Sequence, residues 1–254
     1  MVYKLVEEGD FKYIETLPVH AGTPLVLLHG LFGTLSNFDG ILRHFEKRVN
    51  VVIPILPIFE MPLKKVGLNG YVEYVRNFVK YKNYDKIDIL GNSLGGHIAT
   101  IYTIENQSKV RSLILTGSSG LYESAMGTTF PKRGDYTFIK NKTEATFYNP
   151  EVATKELVDE VYDVVNDRNK GIRIVITAKS AVRNNLSERL GSIHVPTLLV
   201  WGNQDTITPP FVGEKFKELI KNSKLEIIDY CGHAPMMEHP KKFNKLLEDF
   251  LNSL

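Results

Sequence analysis

The stretch KIDILGNSLGGHIAT, residues 86–100, joins an apolar run, a serine between two glycines and a run with helical spacing. A short run such as IDIL is typical of a strand that is buried on both faces, as in a parallel sheet. A serine at the junction of a strand and a helix has two explanations. Ser93 either caps the helix, or it is a nucleophile that a tight turn exposes.

The alternation of strand and helix runs through most of the chain and predicts the fold. Short apolar runs predict strands at 23–30, 49–56, 110–119, 195–205 and 224–233, and helical spacing predicts helices at 36–48, 69–84, 209–223 and 240–254. Two alternating runs around Gly9 and Asp10 predict an antiparallel hairpin at the N-terminus. The fold class is therefore α/β, with a mostly parallel, doubly wound sheet and right-handed crossovers.

The alternation stops in the middle of the chain. Residues 121–193 are polar and helical, and the one ambiguous piece, GIRIVITAKS at 171–180, is interpreted as helix because Lys, Arg and Ala continue it. We therefore expect residues 1–120 and 194–254 to form an α/β core. Residues 121–193 are expected to form a helical cap inserted into that core.

The bulk composition limits the partners of the chain. Of 254 residues, 43% are hydrophobic and 24% charged, and the net charge is only +2, which does not favour a nucleic-acid partner. The single cysteine, Cys231, allows no intramolecular disulfide. The first residues lack the features of a signal peptide, and the chain has no run long enough to span a membrane. We expect a cytoplasmic monomer or small homo-oligomer that acts on a small molecule, with no membrane partner.

A serine hydroxyl needs a general base, and the base needs an acid to orient it. His233 directly follows the last predicted strand, and Asp205 follows the strand before it. Reactive groups collect at the carboxyl ends of parallel strands, so both side chains are predicted at the same edge as Ser93. The chain order of serine, aspartate and histidine is the order expected for this topology.

The loop LLHGLFG, residues 27–33, predicts the remaining part of a hydrolytic site. It follows a strand, so it can direct a backbone amide to the point that the amide of Leu94 also faces, which makes a two-donor oxyanion hole. The alternative is a tight turn without chemistry. A nucleotide is not expected, because the chain has neither GK[ST] nor G-x-G-x-x-G at this loop.

Four motifs in this order make the chain similar to the α/β-hydrolase superfamily over essentially its whole length: HGLFG, GNSLGG, WGNQDTITP and CGHAPMMEHP. The resemblance implies a catalytic triad of Ser93, His233 and Asp205. It also implies oxyanion amides from Leu31 and Leu94 and a helical cap after the sixth strand. No metal or cofactor is expected.

The motifs leave the reaction open, because subfamilies with the same triad carry out different chemistry. The chain resembles small carboxylesterases and meta-cleavage product hydrolases, so we expect hydrolysis of a small carboxylic ester through an acyl-enzyme. Cleavage of a carbon–carbon bond in a dienoate and ligand reception without turnover are the alternatives. The segment PIFEMPLKKVGLNG, at 57–70, departs from the D-x-x-G-x-G-x-S pattern of many relatives, so the pocket wall is expected to differ.

Four further residues are candidates for the substrate pocket. His29 and Phe32 belong to the loop of the predicted oxyanion hole, and Asn92 precedes the serine. Asn92 faces either the pocket or the turn. Arg168 in the predicted cap either meets an acidic substrate group or is a solvated surface residue.

Overall fold

The protein is built around a mixed β-sheet. The structure is a computed structural model, and it describes residues 5–16, 22–33, 35–123 and 133–254. Its strands are β1 (Val6–Glu8), β2 (Phe11–Glu15), β3 (Leu25–Leu28), β4 (Val51–Pro54), β5 (Ile87–Asn92), β6 (Val110–Thr116), β7 (Thr197–Gly202) and β8 (Ser223–Ile228). Its helices are α1 (Asp39–Phe45), α2 (Leu68–Tyr81), α3 (Leu94–Glu105), α4 (Tyr136–Glu144), α5 (Lys155–Asn166), α6 (Arg168–Arg183), α7 (Pro210–Leu219), α8 (Pro235–Glu238) and α9 (Pro240–Asn252).

The sheet has the predicted topology. Within the described residues the strand order is β1-β2-β4-β3-β5-β6-β7-β8. Pairing is antiparallel for β1 with β2 and for β2 with β4, and every later neighbour pair is parallel. Both the N-terminal hairpin and the mostly parallel sheet are therefore confirmed.

Helices cover both faces of the sheet. In β3, Val26 and Leu28 pack in one apolar cluster with residues of α2, α3 and α7. Leu25 and Leu27 pack in a second cluster with residues of α1 and α9. Successive side chains of a strand point to opposite faces, so a strand between two helical layers, such as β3, has apolar side chains on both faces.

The described part of the segment between β6 and β7 is mostly helical. Residues 133–193 contain α4, α5 and α6 and no strand, and residues 171–180 lie in α6 as predicted. Helix α6 packs on the start of α2, because Ser180 Oγ accepts a hydrogen bond from Leu68 N at 3.0 Å and Tyr71 Oη lies 2.7 Å from Thr177 Oγ1. Residues 124–132 of the predicted cap lie outside the described residues.

In the part of the chain that the structure describes, no helix has the length and apolar character that a membrane span needs.

The connection from β5 to α3 depends on a close backbone approach. A Cβ atom added at Gly95 would lie 2.0 Å from the carbonyl oxygen of Leu28 in β3. One added at Gly91 would lie 2.3 Å from the carbonyl oxygen of Gly95. The glycines let α3 begin directly against the end of β3, which sets the position of Ser93 between them.

We expect Gly95→Ala to destabilise the protein by about 3 kcal/mol or more, because its methyl group would meet backbone that cannot move aside. Gly191→Ala is the matched control, since a Cβ there meets nothing within 4 Å. Urea unfolding of both variants measures the difference. Equal stabilities would contradict the role given to the contact with β3.

Candidate active site

Ser93 sits in a strained backbone conformation between β5 and α3. Its φ is 55° and its ψ is −120°, and a positive φ is uncommon for a residue other than glycine. Every other residue from 87 to 103 is buried, whereas Ser93 is partly exposed. The turn therefore brings one hydroxyl out of an otherwise closed segment.

The hydroxyl of Ser93 does not cap α3. No side-chain capping hydrogen bond forms at this helix, and among the described residues Ser93 Oγ has no hydrogen-bond partner. The backbone of Ser93 is held instead, since its N–H donates to Thr116 O at 3.2 Å and its carbonyl accepts from Ser119 N at 3.2 Å. The helix-cap explanation is thus excluded, and the hydroxyl is available for other contacts.

His233 and Asp205 form a buried hydrogen-bonded pair. His233 Nδ1 lies 2.8 Å from Asp205 Oδ2, and the two residues are 6% and 3% exposed. The other carboxylate oxygen, Oδ1, accepts from Ile207 N at 2.8 Å and Thr208 N at 2.9 Å. A carboxylate that accepts from the ring holds the proton on Nδ1 and leaves the lone pair on Nε2, which is the tautomer that a general base needs.

Thr208 also contacts this pair, and it was not predicted from the sequence. Its hydroxyl donates to Asp205 Oδ2 at 2.9 Å, so this oxygen is shared with the histidine ring. The signal was present in DTIT, because a threonine three residues after an aspartate can close a local turn around the carboxylate.

The ends of β5 and β6 hold His233 close to the turn of Ser93. A Cβ atom added at Gly117, where φ is 49°, would lie 2.9 Å from His233 Nδ1 and 2.8 Å from its carbonyl oxygen. Asn92 Nδ2 donates to Thr116 O at 3.0 Å and to His233 O at 3.2 Å. The side chain of the residue before Ser93 therefore binds the backbone of Thr116 and His233, two residues outside the turn.

The loop after β3 lies against the serine. A Cβ atom added at Gly30 would be 3.3 Å from Ser93 Cβ. The next residue, Leu31, and the first residue of α3, Leu94, are both buried. Among the described residues neither backbone N–H donates a hydrogen bond to a protein acceptor. Free amides at the start of α3 and in the loop that adjoins the serine are what an oxyanion hole requires.

His29 serves the loop rather than an open pocket. Leu56 N donates to His29 Nε2 at 3.1 Å, and Nδ1 lies 2.9 Å from Gly30 O. Because Nε2 accepts, the proton lies on Nδ1, and burial lowers the pKa of this imidazole, so the ring is neutral. Both nitrogens bind backbone, which ties the loop after β3 to the chain after β4.

The other two pocket candidates lie in different surroundings. Phe32 is partly buried and packs against the apolar cluster on the α2 and α3 face. Arg168 is exposed at the start of α6, and no hydrogen bond or ion pair joins it to the other site residues among those described. Its position fits the solvated surface residue better than a substrate contact.

A family model for the α/β-hydrolase fold matches residues 23–240, which is most of the chain. The protein belongs to the α/β-hydrolase family.

Relatives of this α/β hydrolase have more than one named activity. A 2-hydroxy-6-oxononadienedioate/2-hydroxy-6-oxononatrienedioate hydrolase from Cupriavidus pinatubonensis is 30% identical, covering 98% of this chain and 94% of that protein. Monoacylglycerol lipase ABHD6 from Bos taurus is 26% identical, covering 100% of this chain and 83% of that protein. A solved α/β hydrolase from a sediment metagenome of the Mar Chica lagoon in Morocco is 41% identical with a TM-score of 0.81, covering 98% of both chains.

A buried polar cluster lies behind the serine of the hydrolase. His97 Nε2 is 2.9 Å from Asn184 O, and its Nδ1 lies 3.4 Å from Ser119 Oγ and 3.9 Å from Glu123 Oε1. Burial lowers the pKa of His97 to about 4 and raises the pKa of Glu123 to about 7. His97 and Glu123 therefore do not form an ion pair near neutral pH, because His97 is neutral at that pH.

We expect Glu123 to make stability depend on pH. Its pKa of about 7 in the folded protein exceeds the ordinary value of 4.5. The contribution of protonated Glu123 to the free energy of unfolding is thus fully present below about pH 4.5, and it is lost as pH rises through about 7. Glu123→Gln removes this pH dependence. When the pH is raised from 5 to 8.5, the free energy of unfolding of the variant should increase by up to about 3 kcal/mol relative to that of the wild type.

Urea unfolding at the two pH values measures this gain, with the exposed Glu188→Gln as control. A pH dependence of the Glu123→Gln variant parallel to that of the wild type would contradict the assignment.

Proposed function

We propose that the protein is a serine hydrolase that cleaves a small carboxylic ester through an acyl-enzyme. The observation that carries this proposal is the 2.8 Å contact of His233 Nδ1 with Asp205 Oδ2, with the His233 backbone bound to the residue next to Ser93. The partly exposed hydroxyl of Ser93 on its positive-φ turn supports the same conclusion. A nucleophile, a base of fixed tautomer and an acid that orients it are the parts that acyl transfer requires.

In the proposed mechanism the oxygen of Ser93 attacks the ester carbonyl while its proton passes to His233 Nε2. The amides of Leu31 and Leu94 stabilise the resulting oxyanion. The imidazolium then protonates the leaving alcohol as the carbon–oxygen bond of the ester breaks. A water molecule gives its proton to the same nitrogen and attacks the carbonyl of the acyl-enzyme. His233 then returns the proton to the Ser93 oxygen as the bond between that oxygen and the acyl carbon breaks, which releases the acid.

The hydrogen bond between Ser93 and His233 is expected to form with substrate bound. Catalytic hydrogen bonds are often long or poorly aligned before the substrate arrives. In this proposal the helices α4, α5 and α6 form the cap over the site. Such a cap sets substrate preference, because the triad is common to the whole class.

Cleavage of a carbon–carbon bond in a dienoate is the second candidate. It is favoured by the 30% identical relative, whose name gives 2-hydroxy-6-oxononadienedioate as substrate. The lipase relatives, named for monoacylglycerol, favour the ester. Both reactions would use the same three side chains, so the substrate distinguishes them.

Ser93→Ala is expected to lower kcat/KM for p-nitrophenyl butyrate by about 10⁴-fold or more, because the nucleophile acts as a unit with its base. Labelling by a fluorophosphonate should disappear with it. The exposed Ser187→Ala is the matched control and should keep both activity and labelling. Near-normal turnover by Ser93→Ala with an unchanged melting temperature would end the proposal.

A substrate panel separates the two candidates. We expect kcat/KM for p-nitrophenyl esters of two to eight acyl carbons to exceed that for a 2-hydroxy-6-oxo-dienoate by at least about tenfold, or about 1.4 kcal/mol in the barrier. Preference for the dienoate would replace ester hydrolysis by carbon–carbon hydrolysis. Stoichiometric labelling of Ser93 without turnover of either class would indicate a receptor.

A further inference from the structure

Glu238, at the end of α8, joins two segments that are distant in sequence. Its Oε1 accepts a hydrogen bond from Gly232 N at 2.6 Å. Its Oε2 accepts from Tyr148 N at 2.8 Å and from Asn149 N at 3.2 Å. One half-buried carboxylate thus binds the residue directly before His233 and two residues of the segment after α4.

The same two segments contact each other directly. His233 N donates to Thr146 O at 2.9 Å, and a Cβ atom added at Gly232 would lie 2.6 Å from the same oxygen. Thr206 Oγ1, next to Asp205, donates to Ala145 O at 3.2 Å. The segment 145–149 therefore packs on the two loops that carry the histidine and the aspartate.

The backbone around His233 is held at three points. The N–H of Gly232 binds Glu238, the N–H of His233 binds Thr146, and the carbonyl of His233 accepts from Asn92. The bond to Glu238 is the charge-assisted one of the three, and such hydrogen bonds are about twice as strong as neutral ones.

The carboxylate of Glu238 also lies close enough to Cys231 to influence its thiol. Burial, and then the charges of Glu238 and Asp205, raise the pKa of the Cys231 thiol.

We propose that Glu238 is a positioning residue for catalysis, which holds the general base His233 in place by clamping its loop to segment 145–149. This inference rests on the proposed function, since it concerns the base of that mechanism. Glu238 touches neither the triad side chains nor the reacting atoms and acts through the backbone of Gly232. A base displaced by about 1 Å can lose up to about a hundredfold in rate, so the clamp should affect the chemical steps.

Glu238→Gln tests the clamp with little change of volume. One carboxylate oxygen becomes an NH₂ group that cannot accept, so either Gly232 N or the pair Tyr148 N and Asn149 N faces a donor. We expect kcat for p-nitrophenyl butyrate, per site labelled by fluorophosphonate, to fall by at least about tenfold, with KM within about threefold. Glu238→Asp keeps the charge but is shorter by one methylene, and its kcat should be intermediate.

Glu248→Gln is the matched control. Glu248 accepts from the side chains of His44 in α1 and Arg48 just after it, and among the described residues no hydrogen bond joins it to the histidine loop. Its kcat and KM should equal those of the wild type. Normalising to labelled sites removes any loss of folded protein from the comparison.

Three outcomes would overturn the clamp. The first is a raised KM with unchanged kcat, which would assign Glu238 to the shape of the pocket. The second is a lower melting temperature with unchanged kcat per labelled site. The third is failure of both Glu238 variants to fold. Either of these two would show that Glu238 contributes to stability and not to catalysis. A wild-type protein that is not labelled at Ser93 would instead refute the proposed function.

Discussion

The close packing of backbone at the turn between β5 and α3 is the constraint on which the candidate site depends. Gly95 brings the first turn of α3 against the carbonyl oxygen of Leu28, at a distance that leaves no room for a side-chain carbon. The turn is therefore so tight that Ser93 takes a positive φ, and its hydroxyl leaves the buried segment. The strain of such a residue is tolerated because the surrounding sheet holds it, here through hydrogen bonds to Thr116 and Ser119.

A second set of contacts places the histidine. Its ring is oriented by Asp205, and its backbone is fixed by Asn92, Thr146 and, through Gly232, by Glu238. Two of these partners come from the β5–α3 turn and from the segment after α4. The position of the histidine thus depends on contacts from the core and from the segment after α4 together.

In the proposed function, chemistry and specificity lie in different parts of this α/β hydrolase. The polar groups that would carry out acyl transfer belong to strand ends, where a parallel sheet collects them. The substrate would be selected by the helices between β6 and β7 and by the segment 57–70, where the chain departs from many relatives. The named activities of the relatives differ, as expected when the same reactive groups are combined with different substrate-binding segments.

The sequence alone determined the order of strands and helices, the parallel sheet with its hairpin, and the location of Ser93, Asp205 and His233 after three different strands. These features are predictable because apolar periodicity and the position of a residue after a strand depend only on residues that are close in sequence. The tertiary structure decided what connects these residues. Asn92 meets the backbone of His233 across 141 positions and Glu238 meets Tyr148 across 90. The pKa of Glu123 is raised by burial that no local pattern reveals. These contacts depend on how separate elements pack, and packing depends on the whole fold rather than on neighbours in sequence.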